Sequence, residues 1–381
     1  MNFSDTKQES KFRVDCAAWL KSSLKDFDPS AEQSIVEEQS RWWQECLYAG
    51  GWAGLSWAEE YGGRGLDIVF EAIFNQEAAI QGAPVPINMM AMSLTGPTII
   101  AYGSPFHKER YLKKILTGEE VWCQGFSEPG SGSDLASLTT KAIKTKAGWL
   151  INGQKVWTSN GHLAQKCMLL ARSSPEKKKH AGITYFLADT KDFEIRPLKM
   201  INGDSEFNEM FLDNVLVDTK EVIGGEDNGW NVALATLSFE RSSLGFTLQV
   251  WARQLLDRLI RLVKVKGLET DSGVLEKIGE FEAKVDSIKI AAIRVMSSIS
   301  DGEMPGPESS TLKLVWSSVI QDMGRFALII GGEEFIYPKN AEDALWMHKY
   351  LRSRGNSIEG GTSEIQKSII AERVLGLPKS R

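Results

Sequence analysis

Between about residues 119 and 217 the spacing of apolar residues changes from the mixed three- and four-residue steps of helices to steps of two. Helical spacing stands on both sides of that stretch. This switch constrains the fold more than any other feature, because the two periods present different surfaces for burial. The chain should therefore run α, then β, then α. Its 381 residues exceed one ordinary core and favour two or three packed units. The expected fold class is α+β, with an N-terminal helical domain over 1–118, a central β-barrel or sandwich domain over 119–228 and a C-terminal helical domain over 229–381.

Within the first block, Ile35, Trp42, Trp43, Cys46 and Leu47 recur at helical steps with glutamates between them. The run Tyr61-Gly62-Gly63-Arg64-Gly65 interrupts the helices. Residues 82–106 carry no charge, yet Pro84, Pro86, Gly96 and Pro97 break them up, so no clean apolar run reaches membrane-spanning length. They are expected to form a core helix pair, or else the wall of an apolar ligand pocket. In the second block, Trp149-Leu150-Ile151, an Asn152-Gly153 turn and Gln154-Lys155-Val156-Trp157 predict a hairpin. Short strands are expected at 121–126, 168–170, 183–187, 193–198 and 209–217. The run Lys177-Lys178-Lys179-His180 reads as a solvated loop tip between two of them. Helices then return at 255–265 and 274–300, and another opens at Pro307 and runs into Gly331-Gly332. The last helix is expected to start at Ser363, with Gln366 at capping-box spacing, and to stop at Gly376 and Pro378.

Composition narrows the function classes. Hydrophobic residues make up 42% and charged residues 25%, the balance of a soluble globular protein rather than a disordered one. With 44 basic against 50 acidic residues the net charge is -6, which argues against nucleic-acid binding. Cys16, Cys46, Cys123 and Cys167 lie without paired spacing and there are only four histidines, so neither a zinc site nor a disulfide framework is expected. Residues 1–24 mix both charges and lack the apolar stretch of an export signal. The expected location is the cytoplasm, away from membranes.

Among chemical motifs, GxGxxG after a strand, GxxxxGK[ST], GxSxG and HExxH are absent. The segment Ser127-Glu128-Pro129-Gly130-Ser131-Gly132-Ser133-Asp134 alternates glycines with hydroxyl residues. Its backbone N–H groups and short donors suit a polar or anionic ligand. Alone it reads as a plain turn; directly after a strand it stands where binding loops are found. A second strand ends in Trp157-Thr158-Ser159-Asn160, where the indole is either core or the flank of a planar ring system.

These two motifs, with Gly229-Trp230 before a long helix and Gly361-Thr362-Ser363-Glu364-Ile365-Gln366 near the end, resemble the acyl-CoA dehydrogenase family over essentially the whole chain. The resemblance implies that the C-terminal domain is a four-helix bundle, with FAD as cofactor and an acyl-CoA thioester as substrate, desaturated between the α and β carbons to the trans-2-enoyl-CoA. In that chemistry a carboxylate takes the α-proton while the β-hydrogen leaves as hydride to flavin N5, so base and flavin must flank the acyl chain from opposite sides. Donors to the thioester oxygen stabilise the developing enolate. By resemblance, Ser127 would bond the flavin pyrimidine edge, with Gln124 and Phe126 at the backbone contacts to the ring system. Trp157 would lie against the flavin, Thr158 beside it, and Ser159 would donate towards N5. Ser133 corresponds to a position near the CoA pantetheine, and Thr362 and Glu364 to positions near the FAD diphosphate.

Many family members carry the base immediately before Gly-Thr-Ser, but that position here is Gly360, and Glu359 stands one residue too early. A second branch keeps a small residue there and places its glutamate, followed by arginine, on the first C-terminal-domain helix. Phe239-Glu240-Arg241 matches that pattern, which makes Glu240 the expected base. Leu234, Leu237, Leu244 and Phe246 surround it in sequence and favour a raised pKa. Arg241, Gly360 and Gly361 are the expected neighbours of the substrate. Two departures stand out: no Arg-x-x-Phe-Gly appears in 263–279, and Leu328 occupies the place of the usual glutamine before Gly331-Gly332. Both would weaken FAD binding in a homotetramer. With its Glu359-Gly360-Gly361-Thr362-Ser363-Glu364-Ile365-Gln366 ending, the chain resembles one subunit of the α2β2 enzymes that act on CoA esters of bulky ring compounds, in which a partner chain can supply the missing FAD contacts, so homotetramer and heterotetramer both stand. The expected electron acceptor is an electron-transferring flavoprotein. The competing readings are an oxygen-using flavoenzyme on the same fold and a non-catalytic subunit of a heteromer.

Overall fold

A computed structural model describes residues 5–25, 27, 33–300 and 306–379, apart from the side chains of 33–36, 240–246, 296, 299 and 300. Helices α1 (Lys7–Ser23), α2 (Gln33–Ala49), α3 (Ile68–Ile80), α4 (Gly96–Tyr102) and α5 (Pro105–Thr117) come first. Strands follow as β1 (Trp122–Gly125), β2 (Lys141–Thr145), β3 (Gly148–Ser159), β4 (Lys166–Arg172), β5 (Ile183–Asp189), β6 (Glu194–Leu198), β7 (Phe207–Val217) and β8 (Val222–Ile223). Then come α6 (Gly229–Val265), α7 (Ser272–Ser300), α8 (Ser309–Gly331), α9 (Glu333–Ile336), α10 (Ala341–Asn356) and α11 (Ser363–Ile369). The α–β–α order is as the periodicity predicts. The chain groups into two compact units, one of Met1–Lys25, Ile68–Ala83 and Arg241–Arg381, the other of Asp26–Asp67 and Pro84–Glu240.

The second unit is built on one mixed sheet in the order β6-β7-β3-β2-β4-β5-β8, with β1 added parallel to β4. One face gathers Cys123, Trp149, Ile151, Cys167, Leu169, Phe186 and Met210 into a core. The alternate residues of β4 and β5, among them Met168, Leu170 and Tyr185, are also fully buried. On that side Thr95 Oγ1 donates to Met168 Sδ at 3.2 Å, and Thr98 and Thr236 hydroxyls stand 2.9 Å apart. Burial on both faces explains why these strands read as unbroken apolar runs rather than as alternation.

Two local expectations are corrected here. Asn152-Gly153 is not a turn: β3 runs through it, and the hairpin turns at Lys146-Ala147 between β2 and β3. Glycine is required at 153 by a close approach, since a Cβ there would lie 2.4 Å from Thr140 Oγ1. The uncharged stretch is also not a helix pair. It forms an irregular lead-in and then a π-helical turn, Ala91–Thr95, continuous with α4. Gly96 fits there because a Cβ would sit 1.9 Å from the Trp57 ring, which is itself buried. Gly96→Ala is therefore expected to destabilise this unit by about 1–3 kcal/mol through overpacking. A melting curve that matches the parent would show that Trp57 moves aside freely.

In the first unit, α8 buries Leu312, Trp316, Val319, Met323 and Ala327, spaced three and four apart along one stripe. Facing residues include Leu256 and Leu259 of α6, Phe281, Val285 and Ile288 of α7, and Trp346 of α10. Each such aliphatic side chain contributes roughly 1.5–3 kcal/mol on burial. These helices form the C-terminal bundle. In the same unit α1 and α3 are joined by Arg13, which donates to Gln76 at 2.7 Å and Glu77 at 2.8 Å. The cap of α11 is Thr362 and not Ser363: its hydroxyl accepts from Ile365 N at 3.3 Å. Gln366 is thereby free of a capping box, and its Nε2 donates to Gly360 O at 2.8 Å. Among the described residues no helix is long and apolar enough to cross a membrane.

Candidate functional site

Strand β1 ends at Gly125 and delivers Phe126, Ser127 and the glycine-rich loop. The loop is braced from within. Glu128 and Ser131 exchange two backbone hydrogen bonds of 2.9 Å, and Ser131 Oγ donates to Asp134 O at 2.8 Å. Lys179, from the basic loop tip between β4 and β5, pairs with Asp134 and holds its carboxyl below the usual carboxylate range. Between these braces Gly132 and Ser133 are exposed, and a Cβ on Gly130 or Gly132 would meet nothing within 4 Å. The loop thus presents open backbone.

The second strand end lies beside the first. Val156 N donates to Ser127 O at 3.0 Å, joining the two segments directly. In the ladder between β3 and β7, Lys155 pairs with Met210 and Thr158 with Asn208, so Val156 and Trp157 together oppose Glu209 alone. That is a β-bulge, and its effect is to re-aim a side chain. Trp157 sits there at φ 61, a residue 60% exposed, with its ring edge-on to Phe207 at 6.0 Å. Left-handed backbone is costly for so bulky a residue, and such outliers gather at functional sites. Asn160 follows at φ 51, and its N–H donates to Glu206 O at 2.8 Å.

The polar atoms around Trp157 are incompletely used. Thr158 Oγ1 and Gln124 Nε2 are buried without a hydrogen-bond partner. Among the described residues the Ser127 and Ser159 hydroxyls also have none. Phe126 is buried edge-on to Tyr185, at 5.7 Å between ring centroids. The structure therefore brings Gln124, Phe126, Ser127, Trp157, Thr158 and Ser159 to adjacent strand ends, with Ser133 on the loop that follows.

The remaining candidates belong to the helical unit. Gly360 and Gly361 have φ 61 and 93, a double left-handed turn that favours glycine. Gln366 and Lys313 hold their carbonyls, the latter by an Nζ···O contact of 2.5 Å to Gly361. Thr362 spends its hydroxyl on the α11 cap, and Glu364 is exposed in the first turn, its carboxyl lowered by its own backbone N–H and the Thr362 hydroxyl. Glu359 is tied to Arg352 at 3.0 Å. Leu328 packs against the helical core. The side chains of Glu240 and Arg241, and those of Leu244 and Phe246, lie outside the described residues; the backbone of α6 is helical through all four.

Sequence reasoning missed the most buried charges of the site. Lys155 is fully buried, and its Nζ donates to Phe126 O at 3.1 Å and Glu128 Oε1 at 2.9 Å. Glu128 also accepts from Thr140 N at 2.9 Å, Thr139 N at 2.6 Å and Thr139 Oγ1 at 2.8 Å. Burial alone would raise the Glu128 carboxyl, but the Lys155 ammonium and the threonine donors hold it at about 2. Burial pulls the Lys155 ammonium below its usual value, and Glu128 opposes that pull. A signal was available: Trp149 and Ile151 point into the core, and the same parity of β3 carries Lys155 inward.

Against known proteins, the acyl-CoA dehydrogenase N-terminal domain matches residues 6–119, the middle domain residues 123–215 and the C-terminal domain residues 227–375. The acyl-CoA dehydrogenase IpdE1 of Mycolicibacterium smegmatis is 39% identical, covering 97% of this chain and 98% of its own length. Among solved structures, the steroid ACAD Tcur3481-Tcur3483 is 25% identical with a TM-score of 0.89, covering 100% of both chains. The ChsE4-ChsE5 complex of Mycobacterium tuberculosis is 26% identical with a TM-score of 0.78, again over 100% of both. Three matched domains in the order of the α–β–α fold, together with a near full-length relative, show that this chain belongs to the acyl-CoA dehydrogenase family.

Proposed function

We propose that the chain desaturates the CoA thioester of a bulky ring compound, as one FAD-binding subunit of an α2β2 heterotetramer that passes electrons to an electron-transferring flavoprotein. The observation that carries this reading is the pairing of Gly360 with Glu359. Gly360 has no side chain to offer, and the one neighbouring acid is held by Arg352. An acyl-CoA dehydrogenase needs a carboxylate to remove the α-proton, and Glu240, followed by Arg241, is the remaining candidate by family pattern. The bulky ring in this reading is supported by the steroid ACAD among the structural neighbours.

The residues at the strand ends fit an isoalloxazine. Trp157 offers an exposed aromatic surface, Ser127 and Ser159 offer free hydroxyls, and Gln124 and Thr158 hold buried polar atoms that lack partners. A buried unsatisfied donor is costly, and a ligand edge that pairs with it relieves that cost. FAD, when bound, supplies the hydride acceptor. On this reading Ser127, Gln124 and Phe126 hold the polar edge, and Trp157, Thr158 and Ser159 the central ring. Ser133, Arg241, Gly360 and Gly361 orient the thioester, and Glu240 accepts the α-proton. Thr362 and Glu364 are assigned to the FAD diphosphate end. The division at 1–118, 119–228 and 229–381 belongs to the same proposal.

The missing Arg-x-x-Phe-Gly and the core-packed Leu328 leave the adenine end short of contacts, which a partner chain would supply. Co-expression with an adjacent dehydrogenase-like gene is expected to raise FAD occupancy and CoA-ester-dependent activity together. Flavin absorbance per chain is the measurement. A fully flavinated, active homotetramer made from this chain alone would remove the heteromer; a folded complex that stays colourless in excess FAD would remove the flavin.

A further inference from the structure

We propose that Lys155 and Glu128 are positioning residues that set the spacing between the two flavin-facing strand ends, with Lys155 acting on both at once. The ammonium of Lys155 binds the carbonyl of Phe126 and the carboxylate of Glu128, the residues on either side of Ser127. Ser127 is thereby fixed from both flanks without being touched. At its own end, Lys155 is the last residue in regular register before the bulge that turns Trp157 outward. The hydrogen bond from Val156 N to Ser127 O, at 3.0 Å, closes the small circuit formed by residues 126–128 and 155–156. The carboxylate oxygens of Glu128 are satisfied by Lys155, Thr139 and Thr140, so the carboxylate is spent on structure within the protein. Its side chains are 0% and 4% exposed, so the pair acts through the backbone it holds. What it controls is where Ser127 and Trp157 stand, in a backbone that left-handed Trp157 would otherwise tend to leave. A site needs such support, since loss of placement by about 1 Å is enough to cost about 100-fold.

This inference rests on the flavin reading above, and its test separates the two. The full chain is labelled with 5-fluorotryptophan, and the Trp157 resonance is assigned by its loss in Trp157→Phe, since the chain has 12 tryptophans. The edge of the nearby Phe207 ring makes that resonance sensitive to where the indole lies. In the double variant Lys155→Met/Glu128→Gln no buried charge is left uncompensated, so the fold should survive. The Trp157 resonance is expected to shift or split while the other indoles stay in place, and FAD affinity to fall about 10- to 100-fold. An unmoved Trp157 resonance in the folded double variant overturns the inference. Should that variant not fold, Glu128→Asp, which keeps the charge and shortens its reach, gives the same decision by the same resonance. If the wild-type complex binds no FAD, the flavin reading fails and the resonance alone decides the positioning role.

Discussion

Glu240→Gln is expected to slow the bleaching of bound flavin by CoA ester by about 100- to 10,000-fold, the usual cost of removing a general base. The amide has nearly the shape of the acid and cannot accept a proton, so folding, FAD content and CoA-ester binding should persist. Stopped-flow bleaching reads the half-reaction directly, without an electron acceptor to complicate it. Glu359→Gln is the matched control. Its carboxylate is engaged by Arg352 at 3.0 Å, and neutralising it should leave the bleaching rate almost unchanged. The opposite pattern, with Glu359→Gln slow and Glu240→Gln fast, would reassign the base. It would also require Arg352 to release Glu359 when substrate enters.

What the sequence made legible follows from how each feature is encoded. The α–β–α order was visible because period is a property of many residues at once, and a few exceptions do not hide it. The Ser127–Asp134 loop and the Trp157–Ser159 strand end were visible as motifs, and they do come together through Val156 and Ser127. Turn chemistry misled at Asn152-Gly153. Glycine there answers to Thr140 across the sheet, a tertiary demand that looks the same in sequence as a turn signal. Trp157 gave no warning of its left-handed backbone, because nothing in an L-aromatic residue announces it; the bulge against β7 imposes it. The Lys155–Glu128 pair joins residues 27 positions apart, and neither period nor motif reports such a partner. Only the parity of β3 hinted at it, since a lysine on the inward side needs a counter-charge.

Lys155→Met alone should destabilise the protein by about 3–5 kcal/mol at neutral pH, the range for breaking one side of a buried ion pair. Methionine fills nearly the same volume, so the loss is chiefly electrostatic: Glu128 remains ionised, buried and without its cation. The pH dependence gives the signature. In the parent, Glu128 titrates at about 2 rather than the ordinary 4.5, so its contribution is complete above 4.5 and is lost as the pH falls towards 2. In Lys155→Met the ammonium's attraction is gone and only the threonine donors still lower the carboxyl, so burial, the largest single influence, is expected to prevail and raise it. A raised pKa reverses the sign. The variant is penalised most at neutral pH, and protonation of Glu128 relieves the penalty as the solution becomes acidic. The stability gap between parent and Lys155→Met should therefore narrow steadily below about pH 5, as the parent loses its contribution while the variant sheds its penalty. Urea unfolding at several pH values measures that gap. Adding Glu128→Gln should recover most of the stability at neutral pH, because a neutral pair leaves no charge to bury. A gap that stays constant from neutral to acidic pH would mean that packing by the lysine stem, and not its charge, is what β3 requires at this position.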